Sequence, residues 1–220
     1  MQTTQNNLEK YKVTFLPEGR IGKHAIERFI VTEKDEKLQQ LRLANPSSLG
    51  RMVPKGTYTK LLRFPGSIGN ATSFHDSVIV MSDTPDEIAD HIHFIERACG
   101  RVLINGLGLG ITLNALLQKP DVLEIFVVEL EQDVINLVGP TYLELARVKG
   151  IKLELINADA LDYRFPSRMN FDCVWHDIWD TICGDNVETM SKLHRKYGRQ
   201  CARQDSWCRE LVKHLKDRCY

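Results

Sequence analysis

From residue 84 onward, short apolar runs alternate with stretches in which apolar residues recur every three or four positions. The stretch "TPDEIADHIHFIERACG" sets Ile88, Ile92 and Ile95 on one face of a helix. Thr84 occupies the capping position, Pro85 the first helical position, Glu87 completes a capping box and Gly100 supplies the stop. Next, "RVLIN" predicts a strand, 109–118 a helix, "EIFVVEL" a second strand, 131–147 a helix interrupted at Gly139-Pro140, "KLELIN" a third strand and "FDCVWHD" a fourth. Several of these strands are almost wholly apolar, the pattern of parallel strands covered on both faces. Helical stretches between them require right-handed crossovers, so residues 84–220 are expected to form a doubly wound, Rossmann-like α/β domain. Beyond the fourth strand, Asp185 or Asn186 caps a helix whose stripe is Val187, Met190, His194 and Tyr197. A short strand around "RQCAR" and a helix over 207–218 follow.

Residues 1–83 carry a different pattern. Short apolar runs such as "YKVTF", "ERFIVTE", "TYTKLLR" and "SVIVMS" read as strands, separated by the turn signals "FLPEGRIG", "NPSSLG" and "FPGSIGN". This region is expected to be a small β-rich or mixed appendage to the larger domain. No internal repeat or low-complexity tract is evident.

Composition narrows the class without naming a partner. The chain has 220 residues, 43% of them hydrophobic, and a formal net charge of zero, so no overall field points to a nucleic acid or a membrane. No apolar run is long enough to span a bilayer, and "MQTTQNNLEKYK" lacks the apolar run of a signal peptide, so a soluble, cytoplasmic protein is expected. The six cysteines (Cys99, Cys173, Cys183, Cys201, Cys208, Cys219) show no C-x-x-C spacing. They read as core residues or free thiols, and no metal site is expected.

Candidate chemistry centres on "NGLGLG". Gly106, Gly108 and Gly110 follow the first parallel strand and precede a helix, where a ligand can approach the backbone. The spacing is G-x-G-x-G, because Ile111 stands where a dinucleotide fingerprint has its third glycine. Glu129 ends the second strand, where an acidic side chain can accept both hydroxyls of a ribose. Strand parity sets Asp177 on the same face as Trp175 and opposite His176.

In these segments, "VLINGLGLGITLNALL", "IFVVELEQDVINLV", "LINADALDY" and "FDCVWHDIWD", the sequence resembles the class I S-adenosylmethionine-dependent methyltransferase superfamily, most nearly its spermidine-synthase-like branch. The resemblance covers roughly residues 84 to 190 and implies a mostly parallel sheet of order 3-2-1-4-5 with S-adenosylmethionine as cofactor. It implies that Gly106, Gly108 and Gly110 line the methionine part and sugar edge, and that Glu129 holds the ribose hydroxyls. Leu130 would pack near the adenine, Asp159 would accept from its amino group, and Ala160 would lie beside it. Asp177 would face the sulfonium and the substrate, with Asp180 as the second carboxylate of the spermidine-synthase-like pattern. Carboxylates suit a ligand bearing a sulfonium and an ammonium better than they suit a pyrophosphate. About forty residues remain after the fourth strand, so the sheet is expected to be abbreviated relative to the full methyltransferase pattern.

Methyl transfer requires an aligned nucleophile and, where the acceptor carries a proton, a base. Asp177, Asp180 and His176 are the candidates for that base, and Trp179 for a wall of the acceptor pocket. The segment "DIWD" differs from the Asp/Asn-Pro-Pro-Tyr of exocyclic-amine DNA methyltransferases, and no cysteine follows a proline as cytosine-carbon methylation would need. A small-molecule acceptor is therefore the leading expectation. An aminopropyltransferase and a non-catalytic binding module are the alternatives. Residues 191–220 hold nine Lys or Arg against three acids, whereas 121–190 hold fourteen acids against five bases. That asymmetry could guide an anionic or nucleic-acid acceptor, although solvated helix faces account for it as well.

Overall fold

The computed structural model describes residues 8–43, 51–64 and 77–217. The signal "NPSSLG", most of "FPGSIGN" and Cys219 lie outside the described residues.

The N-terminal third forms an antiparallel sheet ordered β1-β2-β3-β4, from Gly19–Ile21, His24–Val31, Gly56–Arg63 and Val78–Ser82. Three of the expected strands fall in it. "YKVTF" does not: Glu9–Tyr11 is a 3-10 turn, and Val13 and Leu16 are buried in the main core instead. The reason is Asp83, a fully buried carboxylate that accepts the amide hydrogens of Val13 at 3.0 Å and Thr59 at 2.5 Å. Helix α1 (Glu33–Leu43) joins β2 to β3 and buries nothing, so no apolar period announces it. It starts on a reciprocal pair in which Thr32 Oγ1 accepts from the Asp35 amide and Asp35 accepts from the Thr32 amide.

Helix α2 (Pro85–Arg97) follows, with Ile88, His91, Phe94 and Ile95 buried. The expected capping box at its start is not formed. Thr84 makes no side-chain cap, and Glu87 instead accepts from the amide and hydroxyl of Ser82, at 2.9 and 2.6 Å. A hydroxyl two residues before the cap offers that carboxylate a second donor, which the Thr84 amide alone cannot match.

Five strands, β5 (Gly100–Asn105), β6 (Val122–Glu129), β7 (Lys152–Asn157), β8 (Phe171–His176) and β9 (Cys201–Ser206), form one sheet ordered β7-β6-β5-β8-β9. All four pairings are parallel, which gives the 3-2-1-4-5 order of a Rossmann-like fold. Its helices are α3 (Ile111–Leu116), α4 (Gln132–Lys149), α5 (Asn186–Tyr197) and α6 (Arg209–Asp217). Alternate residues serve opposite faces: Val102, Ile104, Ile125, Val127 and Trp175 pack with α2, α3 and α4, while Leu103, Phe126, Val128 and Val174 pack with Leu193 and Tyr197 of α5. Helix α4 runs unbroken through Gly139-Pro140, contrary to the expected interruption. Pro140 lies on the exposed side, where the carbonyl that loses its amide partner can be hydrated.

The two sheets share a core, since Val13, Leu16, Ile26 and Leu61 cluster with the first face of the parallel sheet. The β1-β2 hairpin also docks on α4: the Lys23 amide donates to Asp133 at 3.0 Å. Asp83→Ala leaves two buried amides unpaired and is expected to lower the unfolding free energy by about 2–4 kcal/mol. Chemical denaturation would measure this, and an unchanged midpoint would show that those amides find other partners.

Candidate functional site

Strand order reverses between β5 and its neighbours β6 and β8, and a crevice of about 260 Å³ opens at their carboxyl ends. Gly106 leaves β5 there at φ 96°, with its amide donating to Val128 O. A Cβ at this position would fall 1.8 Å from the backbone oxygen of Asp177, so the two strand ends meet through a glycine and nothing larger. Gly108, at φ 50°, is covered by Met81, whose sulfur lies 3.2 Å from the Leu109 amide. Both glycines line the crevice. Gly110 does not: it precedes α3 and packs against the Tyr142 ring, away from the crevice where it was expected.

Glu129 ends β6 with one oxygen accepting the Leu107 amide at 2.7 Å and the other the Glu131 amide at 2.8 Å. Burial raises its pKa, opposed by those amides. An ionised carboxylate offers about four acceptor positions, so capacity remains toward the crevice. Leu130, largely exposed at 59%, and Asp159, Ala160 and Leu161, from the segment after β7, complete this end. Asp159 itself accepts the Leu161 amide at 2.7 Å.

At the other end stand Asp177, Trp179 and Asp180. The Asp177 carboxyl is pushed well above the ordinary carboxylate range, first by burial and then by the charges of Glu87, Asp90 and Glu129. His91 Nδ1 stands 3.8 Å away, yet its ring is buried, held neutral with its pKa down at about 4, and has no hydrogen-bond partner on either nitrogen. Asp180 pairs with Arg63 from β3. Trp179 donates from Nε1 to Thr189 Oγ1 at 2.8 Å, so its ring is fixed as a wall.

His176 is not brought to the crevice. Asn105 Nδ2 donates to its Nδ1 at 2.8 Å, which leaves the proton on Nε2 facing Gln204 Oε1 at 3.2 Å. The ring is fully buried on the α5 side and held neutral, its pKa pushed down to about 3 by desolvation. A base there would have to cross the sheet to reach a ligand.

Several contributors went unforeseen, and four of them bear on the chemistry. His24, Arg63 and Met81 come from the antiparallel sheet to line the crevice, and Glu87 lines a second cleft of about 340 Å³. The two clefts share Val80, Met81 and Asp180. Burial raises the Glu87 pKa to about 7 despite the two bonds from Ser82. The carboxylate at the third helical position was a signal for Glu87, but it pointed to a cap.

No model of a known protein family matches the sequence, and no curated protein does. Among solved structures, the chain is similar to the YcgJ protein from Bacillus subtilis at 24% identity, over 40% of this chain and 37% of that one, with a TM-score of 0.33. It is similar also to an S-adenosylmethionine-dependent methyltransferase from Clostridium acetobutylicum, with 16% identity, coverage of 53% and 44%, and TM-score 0.37. A third is the glycopeptide N-methyltransferase MtfA complexed with S-adenosylmethionine, with 17% identity, coverage of 52% and 45%, and TM-score 0.39. The chain spans less than half the length of each. The fold class rests on the strand order and crossovers described above.

His91 and His176 on one side and the raised carboxylates on the other titrate with opposite signs. A histidine held below its ordinary pKa adds stability above about pH 6.5 that is lost as pH falls toward its folded value, whereas raised carboxylates such as Glu87 lose stability as pH rises. The difference between the wild type and His176→Gln isolates one term. It is expected to narrow by more than ~2 kcal/mol between pH 7 and pH 4, because only the wild type must exclude that proton. A difference independent of pH would contradict the neutral, buried ring.

Proposed function

We propose that this chain is an S-adenosylmethionine-dependent methyltransferase acting on a small-molecule acceptor. One observation carries the reading: the Glu129 and Asp177 carboxyls flank the Gly106 turn in the crevice at the strand-order reversal. The lining fits the group on its chemistry. Glu129, Glu131, Asp159, Asp177 and Asp180 face His24 and Arg63, and Arg63 is already paired, so the surroundings favour a cation.

When bound, S-adenosylmethionine supplies a methyl group activated by a positively charged sulfur. Glu129 would hold the ribose hydroxyls on its unused acceptor positions, Leu130 would cover the adenine, and Asp159 with Ala160 would meet its edge. Asp177 would balance the sulfonium charge. The second cleft, joined to the first through Val80, Met81 and Asp180, would admit the acceptor. Glu87, titrating near neutrality on that wall, is suited to take the acceptor's proton. Trp179 and Met81 would exclude water from the junction.

Aminopropyl transfer is the second reading, favoured by the presence of both Asp177 and Asp180 on the crevice. Calorimetric titration with S-adenosylmethionine, S-adenosylhomocysteine, decarboxylated S-adenosylmethionine and NAD separates the readings. Binding of the first two with NAD silent is expected, and Glu129→Ala should weaken it at least ~10-fold, the loss of a charge-assisted hydrogen-bond pair. Preference for the decarboxylated form would favour aminopropyl transfer, and silence for all four would refute a sulfonium site.

Affinity should also depend on pH. Burial and the surrounding carboxylates disfavour the ionised form of Asp177 in the free protein, and a bound cation favours it, so S-adenosylmethionine binding is expected to tighten as pH rises through the range in which Asp177 titrates. S-adenosylhomocysteine, which lacks the sulfonium charge, should show a weaker dependence, and Asp177→Asn should remove it. Equal slopes for the two ligands would exclude Asp177 as the counter-charge.

A further inference from the structure

A third cleft, of about 530 Å³, opens between the segment after β7 and helix α5. Leu161, Asp162, Arg164, Lys192, Arg195 and Lys196 line it, so four of its six residues are basic. Leu161 lines the crevice as well. Lys192 is tied to Glu188 at 2.7 Å. Among the described residues, no carboxylate forms an ion pair with Arg164, Arg195 or Lys196. Unpaired arginines occur elsewhere among the described residues, Arg20 and Arg203 for example, so what distinguishes this cleft is that four cations line one space.

The crowding is local, since the chain's formal net charge is zero. Lys196 Nζ donates to the carbonyl oxygens of Ala160 at 2.7 Å and Leu161 at 3.1 Å, which pins the ammonium at the rim. Burial, followed by the charge of Arg164, pulls its pKa down to about 8, against the charges of Asp162 and Asp159. The carbonyl end of α5 attracts basic residues in its last turn, so Arg195 and Lys196 have that partial explanation. It does not extend to Arg164, which arrives from the opposite wall.

We infer that this cleft binds a phosphoryl group, carried either by a small phosphate ester or by the backbone of a nucleic-acid strand. Arg164 and Arg195, in no ion pair among the described residues, line the cleft with Lys192 and Lys196, and the one carboxylate lining it, Asp162, cannot neutralise them all. A terminal phosphate offers three oxygens and more than one charge to the same donors, and successive phosphodiesters of a strand offer two oxygens and one charge each. The site is independent of what the crevice binds.

The test uses the full chain at low salt, with inorganic pyrophosphate followed by calorimetry and a labelled single-stranded oligothymidylate followed by fluorescence anisotropy. Arg164→Glu combined with Arg195→Glu is expected to weaken binding at least tenfold. Lys213→Glu, a basic residue of α6 outside the cleft, should leave it unchanged. Binding of pyrophosphate alone would identify a small phosphate ester. Binding of the oligonucleotide, with a salt dependence that shrinks by about 0.7 per cation removed, would identify a strand. Silence toward both probes, or equal losses in the Lys213 and cleft variants, would overturn the inference. S-adenosylhomocysteine titration of the same variants reads the crevice separately, and circular dichroism verifies their fold.

Discussion

The Glu129 carboxylate accepts the amides of Leu107 and Glu131, and in doing so ties the turn that leaves β5 to the turn that leaves β6. Both turns would otherwise present unpaired amides at the edge of a low-dielectric crevice, where each costs about 1–3 kcal/mol. Their closure places a buried negative charge beside Asp177, which the Gly106 contact has already drawn close to the same point. Asp177 then cannot ionise cheaply, because Glu87, Asp90 and Glu129 oppose it and His91 is too deeply buried to accept its proton. The crevice is therefore an electrostatically unsatisfied space. Under the proposed function, a cation would relieve it.

Much of the parallel half was legible because its signals are local. Near-continuous apolar runs such as "VLIN" and "IFVV" mark strands covered on both faces, and the strand-turn-helix around Gly106 and the acid ending β6 mark the crevice. The signals that failed were those with two readings. Val13 belongs to an apolar run, but Asp83, 70 residues away, takes its amide. Glu87 stands where a cap partner stands, but Ser82 offers it two donors. Helix α1 leaves its leucines, Leu38 and Leu41 among them, exposed, so burial gives no apolar face to read and the Thr32-Asp35 pair marks its start.

The candidate site residues divide along the same line. Glu129, Leu130, Asp159, Ala160, Asp177, Trp179 and Asp180 are held by the strand ends that a pattern of alternation locates, and all of them line the crevice. His176 shares that neighbourhood in sequence but not in space, since one step along an extended strand reverses the face and Asn105 holds the ring there. His24, Arg63 and Met81 reach the crevice from a different sheet, and no residue spacing within β2, β3 or β4 shows what lies above them. Long-range placement of this kind is decided by packing between sheets, which a one-dimensional pattern does not encode.

The seat of the β1-β2 hairpin on helix α4 bears on the order in which the molecule can be assembled. Lys23 and Asp133 are 110 residues apart, so a chain emerging from the ribosome has synthesised both strands of the hairpin long before its seat exists. Until α4 leaves the exit channel, β1 and β2 expose apolar side chains such as Ile26 that end in the shared core. The pairings among β1 to β4 are available to it during that interval, but the packing of the hairpin on α4 is not. Such a chain has a long window of vulnerability to chaperones and proteases, and its late-forming contacts, more than its early ones, decide whether synthesis ends in a folded molecule.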